Sequence, residues 1–230
     1  MLYNEEAVRA NIRNREGKRV FFLGKGDQLT SSARDYLSRE RIEIRPGEQA
    51  KIQHYKLLSG GFLSEKPEHM THLNGDILVR KDHPRIVFRG KLDTLEAELI
   101  LCQLADEALV TPVGEILALA RQIIRCEVLD EPLHWDRLCG LTEDEQRLRS
   151  HFPQDYYGQP HFMPSASDGA VIARLNRARC AAREAELAAV TAFRDREGNP
   201  TRADILQAMN RMSSMLYILM VQQKMPNAKC

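Results

Sequence analysis

From Asp93 to Gln223 apolar residues recur at three- and four-residue intervals almost without pause, a pattern that packed helices satisfy and strands do not. Leu92, Leu95, Leu99 and Leu104 alternate with Glu96, Glu98 and Gln103. Thr111-Pro112 opens a second helix, with proline in the first turn where its missing N–H costs nothing. Val113, Ile116, Ala120, Ile123 and Val128 form that helix's apolar stripe, and Pro132 ends it. Thr142-Glu-Asp-Glu145 reads as a capping box for a short helix to about His151. A loop over residues 152–167, rich in Pro, Tyr, Gln and His, precedes a long helix that starts at Ser167 or Asp168 and reaches Arg196. Gly198-Asn199-Pro200 stops it, and Thr201-Arg-Ala-Asp204 caps a last helix carrying Ile205, Met209, Met212, Leu216 and Leu219. Long helices with few strands between them predict an all-α, up-and-down bundle of about five helices.

The first 65 residues follow another grammar. Glu5–Arg15 predicts one helix, Arg19–Leu23 a strand and Gly24–Asp27 a turn. Thr30 or Ser31 caps a short helix through Arg39, and Ile42–Arg45 is a second strand closed by Pro46-Gly47. This β-α-β-sized unit is too small to be stable without docking. Residues 48–66, with Ser59-Gly60-Gly61 among them, read as a linker or mobile loop. The expected organisation is therefore a small mixed α/β extension with its linker over 1–65 and a helical bundle over 66–230.

Composition narrows the function classes. With 230 residues, 43% hydrophobic and 28% charged, the chain can bury a substantial core. It has no run near the ~20 apolar residues of a membrane span, and its start is too polar for a signal peptide. A cytoplasmic protein without membrane contact is expected. Lys plus Arg is 33 against 32 for Asp plus Glu, with no basic tail, so nothing in the charge balance points to nucleic acid. An anionic ligand must be met by a local cluster. Five cysteines with no C-x-x-C spacing read as free, mostly buried thiols. The paired helical Glu-x-x-His elements of di-iron carboxylate bundles are missing.

The polar residues on the long helices carry two readings. Arg179 and Arg183 stand four apart with Glu186 three further on, so all three share roughly one face. They either pair across helices and lock their order, or form a cradle for adjacent phosphates, which guanidinium forks match. Asn210, Ser213 and Ser214 interrupt the apolar last helix, and Asp93 follows the charged segment Arg80–Arg85.

Five stretches together resemble one family: THLNGDILVRKDHPR (71–85), FRGKLDTLEAEL (88–99), LARQIIRCEVLDEPL (119–133), HFMPSASDGAVIARLNRARCAAREAE (161–186) and RADILQAMNRMSSMLYILM (202–220). Their order and spacing are similar to the ATP:corrinoid adenosyltransferases, the ethanolamine-utilisation branch in particular, which is related to the propanediol-utilisation type. EEAVRAN (5–11) and LTSSARDYL (29–37) resemble that branch's amino-terminal extension.

The resemblance implies transfer of the adenosyl group of ATP to the cobalt of cob(I)alamin, giving adenosylcobalamin and triphosphate with Mg²⁺ assisting. It implies sites between the subunits of a dimer or trimer, and a place in a bacterial microcompartment beside a cobalamin-dependent enzyme. Residue by residue, Arg179 and Arg183 match the family's phosphate-clamping arginines, with Glu186 beside them. Lys81 and Arg85 match its basic pair, and Thr71 stands where a phosphate loop belongs. Asp93 matches the aspartate that pairs with an arginine across the subunit boundary, Asn210 the asparagine placed against ribose or phosphate. Phe162 is the candidate for the aromatic that closes the lower corrin face and excludes the axial base.

The chain also departs from the family. The T-G-D-x-G-x-T phosphate loop of the propanediol type is missing, as is the branch's C-C-x-x-C metal cluster. His54, His69, His72 and His83 without thiolates make at most a weak imidazole site, so no metal centre is expected. A catalytically impaired relative that binds ATP or corrinoid in a structural or delivery role, and a helical interaction module, are the competing readings.

Overall fold

A computed structural model describes residues 2–15, 17–47, 55–63 and 65–225. The chain divides into two units, Met1–Lys66 and Pro67–Cys230.

In the first unit β1 (Leu2–Tyr3), α1 (Glu5–Ala10), β2 (Arg13–Arg15), β3 (Lys18–Leu23), β4 (Gln28–Leu29), α2 (Ser31–Arg39) and β5 (Glu43–Pro46) follow in order. Strands β3 and β5 are parallel, Val20 opposite Glu43 and Leu23 opposite Pro46. A parallel pair needs a crossover, and α2 supplies it. Thr30 caps α2, its Oγ1 accepting the Ala33 N–H at 3.3 Å. Val8, Phe21, Leu29, Ala33, Tyr36, Leu37 and Ile42 make the small core.

Two expectations change here. Glu5–Arg15 is not one helix: the Asn11 amide donates to the Ala7 carbonyl at 2.8 Å where α1 ends, and Arg13–Arg15 pair antiparallel with β3. Strand pairing overrides local helix propensity there. The expected linker holds a hairpin, β6 (Tyr55–Leu57) and β7 (Phe62–Leu63), turned by Gly60 and Gly61, both at positive φ. Residues 48–54, including His54, and Ser64 lie outside the described residues.

The second unit starts with an antiparallel hairpin, β8 (Met70–Asn74) and β9 (Ile77–Arg80), and continues into the bundle. Its helices are α3 (Pro84–Gln103), α4 (Val110–Leu129), α5 (Glu143–His151), the five-residue α6 (Pro153–Tyr157), α7 (Gly169–Ala192) and α8 (Ala203–Gln223). Helix α7 packs between α3 and α8, α4 lies against α3, and α5 against α8. Phe88, Leu92, Leu95, Leu99, Ile116, Ile123, Leu175, Ile205, Met212 and Leu216 fill the core, all buried. Cys102 and Cys126 are buried and Cys139 and Cys180 partly so, all four free thiols. Burial pushes the Cys102 thiol up to about 11 and the Cys139 thiol to about 12, so neither carries thiolate character at neutral pH.

Helix ends differ from expectation where side chains outside the apolar repeat decide them. Helix α3 begins at Pro84 rather than Asp93: proline occupies the first turn and His83 Nδ1 accepts the Arg85 N–H at 3.3 Å. Arg85 is consequently helical, not a residue preceding the helix. Helix α7 stops at Ala192 rather than Arg196, because Phe193 turns in to meet Phe88 edge-to-face at 5.3 Å. Thr201 does not cap α8. Arg202 forks onto Asp204 at 2.9–3.0 Å and donates to the Glu131 carbonyl, while Asp204 accepts the Leu133 N–H at 2.9 Å. The 152–167 loop contains α6 and runs into a turn of 3₁₀ helix, Ala166–Asp168. The Thr142 capping box is formed as read.

Candidate active site

Ion pairs set the register of the bundle. Lys91 meets Glu184 at 2.8 Å and Arg177 meets Glu98 at 3.1 Å, which makes α3 and α7 antiparallel. On α8 the Asn210 amide donates to Glu186 Oε1 at 2.8 Å. Tyr217 stands seven residues beyond Asn210, and Arg179 seven before Glu186. Seven residues are two turns, so the two levels share a face about 10 Å apart along one α7–α8 seam.

At the Arg179–Tyr217 level a cavity of about 420 Å³ opens, lined by His161, Phe162, Met163, Pro164, Asn176, Arg179, Tyr217 and Met220. The Phe162 ring stacks on Tyr217 at 6.3 Å, and the Lys224 ammonium sits 4.3 Å from its centre. Lys224 is held by Asp168 at 2.7 Å. That ammonium, with the Ser165 N–H, keeps the Asp168 carboxyl below the usual carboxylate range. Burial pushes the Tyr217 phenol up, the Phe162 N–H and the Arg179 charge pulling part of it back. Arg179 is half-buried, and its fork rests on Asn176 Oδ1 at 3.0–3.2 Å. Among the described residues no carboxylate pairs with the guanidinium. At the other level Arg211 donates to Asn210 Oδ1 at 2.6 Å, so the Asn210 amide is fixed at both ends.

The remaining candidates are distributed less tightly. Thr71 lies on β8, and Lys81, just past β9, pairs with exposed Glu68 at 3.1 Å. Arg85 faces inward: its Nε donates to Glu127 Oε1 and its terminal nitrogen to the Glu127 carbonyl at 2.7 Å. Arg89 takes Glu127 Oε2 at 2.6 Å and the Leu73 carbonyl at 2.6 Å, tying α3 to the β8–β9 hairpin. Glu127 is fully buried and satisfied by the two arginines. Within one chain Arg85 lies about 16 Å along the bundle axis from Arg179, by helical rise from the Lys91–Glu184 register. The Lys81–Arg85 end and Arg179 are therefore not side by side in a single chain. Asp93 and Arg183 are exposed, and among the described residues neither forms an ion pair. His69, His72 and His83 are not gathered: His72 Nδ1 is 3.0 Å from the Gly75 carbonyl oxygen, and His83 caps α3. Among the described residues no three metal-ligating side chains converge.

His161, Asn176, Tyr217, Lys224 and Glu127 escaped the sequence reading. Tyr217 had a findable signal, its two-turn spacing from Asn210. Glu127 did not, since a lone Glu in an apolar helix gives no sign of its partners.

The geometry defines a class of protein: an antiparallel helical bundle with an arginine-edged aromatic cavity on one seam. The sequence pattern of the family described as cobalamin adenosyltransferase matches residues 62–223, covering the β8–β9 hairpin and every helix of the bundle, and the chain belongs to that family. More particularly, it is 33% identical to the corrinoid adenosyltransferase EutT of Salmonella typhimurium strain LT2, over 94% of this chain and 90% of that protein. It is 31% identical to the corrinoid adenosyltransferase EutT of Escherichia coli K12 with the same coverage. The family read from the motifs is the family matched.

Proposed function

We propose that the chain transfers the 5′-deoxyadenosyl group of ATP to cob(I)alamin, forming adenosylcobalamin and releasing triphosphate. The observation that carries this reading is the α7–α8 seam. An aromatic-walled cavity edged by Arg179 lies two turns from the fixed Asn210–Glu186 pair, which offers an apolar wall to a flat macrocycle and polar groups to a nucleotide along one seam.

Cobalt(I) is itself the nucleophile. The cobalt–carbon bond forms as the C5′–O bond breaks, and the electron pair leaves on triphosphate, so no serine, cysteine or histidine base is needed. The protein's work is alignment and charge stabilisation. Arg179 and Arg183 take the phosphates, Lys81 and Thr71 extend the site from the hairpin end, and Asn210 orients the ribose or a phosphate. Arg85, bound to Glu127, acts by holding the first turn of α3 in place. Phe162 presents an apolar face to the corrin and keeps water and the axial base from cobalt. Mg²⁺ arriving with ATP fits Glu186: Oε1 takes the Asn210 amide, and among the described residues nothing donates to Oε2. One carboxylate plus phosphate oxygens is a usual Mg²⁺ set, and the ion would neutralise charge on the departing phosphates.

The complete site needs a second copy of the chain, as dimer or trimer. Ile100 and Leu101 on α3 and Leu104 just past its end are all at least 40% exposed, and exposed Asp93 stands two turns before Ile100 on the same side. Leu187 and Val190 on α7 are also exposed, beyond Arg183. An apolar stripe interrupted by single unpaired charges suits a self-association face in which Asp93 of one subunit meets an arginine of the next. We assign residues 66–230 to catalysis and 1–65 to docking. The cytoplasmic ethanolamine-utilisation microcompartment, with a cobalamin-dependent enzyme to receive the product, is the setting that follows from the branch.

The test is direct. Folded protein with ATP, Mg²⁺ and chemically reduced cobalamin, without oxygen, is expected to consume the cob(I)alamin absorbance and yield adenosylcobalamin and triphosphate in equal amounts. Turnover no faster than the protein-free control overturns the reading in favour of an impaired, binding-only relative.

A further inference from the structure

The cavity's aromatic wall is a loop, and the loop is held by side chains rather than by its own backbone. Among the described residues, no backbone N–H from Gln159 to Pro164 donates to a backbone carbonyl. His161 bridges instead. Its Nε2 lies 3.0 Å from the His151 carbonyl oxygen at the end of α5, and its Nδ1 lies 2.8 Å from the Tyr217 hydroxyl on α8. A carbonyl only accepts, so Nε2 carries the proton, and in the neutral ring Nδ1 accepts the Tyr217 O–H. The rings reinforce this, since His161 stacks on Tyr217 at 5.6 Å with 19° between planes, and Phe162 follows at 6.3 Å. Tyr217 therefore touches two consecutive loop residues, its hydroxyl meeting the His161 ring nitrogen and the Phe162 N–H and its ring meeting both rings.

Resting on the adenosyltransferase reading above, we propose that Tyr217 is a positioning residue for the corrinoid: through His161 it holds the Phe162 wall at a fixed distance from Arg179. The hydroxyl does not touch the reacting atoms. It sets the width of the slot into which an apolar macrocycle face slides. Without it the stacking survives but the loop loses the directional ties of His161 and the Phe162 N–H to α8, and a wall that must exclude water becomes adjustable.

Tyr217→Phe keeps the ring and removes the O–H. Hydrogen exchange of the 159–165 amides is expected to accelerate, with α3, α4 and α7 unchanged. Equilibrium binding of cob(II)alamin, read by absorbance without turnover, is expected to weaken about 3- to 10-fold, the worth of one net hydrogen bond. In turnover the corrinoid KM is expected to rise while the ATP KM stays within about twofold, a split that general loss of structure does not produce. His161→Ala is expected to match it, and the double variant to be little worse than either single. Unchanged loop exchange and unchanged cob(II)alamin binding in Tyr217→Phe overturn the proposal, as does a parallel rise in both KM values. An inactive wild-type chain that still binds cob(II)alamin through this wall defeats the transfer reading alone.

Discussion

The Asn210 amide bridges Glu186 on α7 and Arg211 on its own helix, donating to the carboxylate at 2.8 Å and accepting from the guanidinium at 2.6 Å. An amide anchored at both ends has one orientation, which matters if Asn210 is to meet a ribose or phosphate oxygen. Asn210→Ala is expected to lower kcat/KM for ATP by about 10- to 100-fold, the range for losing a positioned polar contact. Glu186→Gln is expected to cost less at saturating Mg²⁺ and more when Mg²⁺ is limiting. Steady-state kinetics across a Mg²⁺ titration check both.

Arg179 rests on Asn176 rather than on a carboxylate, so its removal leaves no buried charge unpaired. Arg179→Ala is expected to lower kcat by roughly 10²-fold, as for loss of a transition-state donor, with little change in melting temperature. Asp93→Asn is expected to lower kcat and weaken assembly, since exposed Asp93 is proposed to hold the arginine of a neighbouring subunit. The double variant is then expected to be scarcely worse than Arg179→Ala alone. Kinetics beside sedimentation distinguish this from additive losses, which would make the two residues independent.

The bundle was legible because its information is periodic. Apolar residues at helical spacing name a core face whatever the neighbours are, and Val113, Ile116, Ala120 and Ile123 are buried as their spacing requires. The helix ends were less legible, because partners distant in sequence decide them: Phe88 for the end of α7, Glu131 and Leu133 for the start of α8. The same distinction runs through the site. Arg179 and Asn210 could be named from motif and spacing. That Arg85 is held by Glu127, 42 residues away, could not. Nor could His161 be told from any other loop histidine without Tyr217 beside it. Local sequence carries capping and stripes, while polar partnerships need the register of the assembled helices.

Glu127 is fully buried with an arginine on each carboxylate oxygen. Glu127→Ala leaves two half-buried guanidiniums without their counter-charge and is expected to destabilise by about 3–5 kcal/mol, the usual cost of breaking a buried pair from one side. Glu127→Gln, which keeps one acceptor oxygen, is expected to cost less. Because Arg89 also holds the Leu73 carbonyl, the β8–β9 hairpin is expected to lose exchange protection before the rest of the bundle. Urea unfolding followed by circular dichroism gives the first quantity, and hydrogen exchange the second.

Asp204 ties three segments together, accepting the fork of Arg202 just before α8 and the Leu133 N–H from the chain after α4, while Arg202 reaches the Glu131 carbonyl. Burial pushes its carboxyl up, but the Arg202 fork and the backbone N–H groups of Leu133 and Ile205 outweigh that, and the net direction is down. A carboxyl whose folded pKa lies below its unfolded value, near 3.9, adds stability that is complete above the unfolded value. That stability is lost as pH falls through the depressed folded value. Asp204→Asn is therefore expected to be less stable than wild type by about 1–3 kcal/mol at pH 7, the range for a charge-assisted bond. The gap is expected to narrow steadily below about pH 4 as the wild-type carboxylate takes up its proton. Urea midpoints for both proteins between pH 7 and pH 3 measure it. A gap that stays constant across that range would mean that packing around residue 204, rather than its charge, holds the entry to α8.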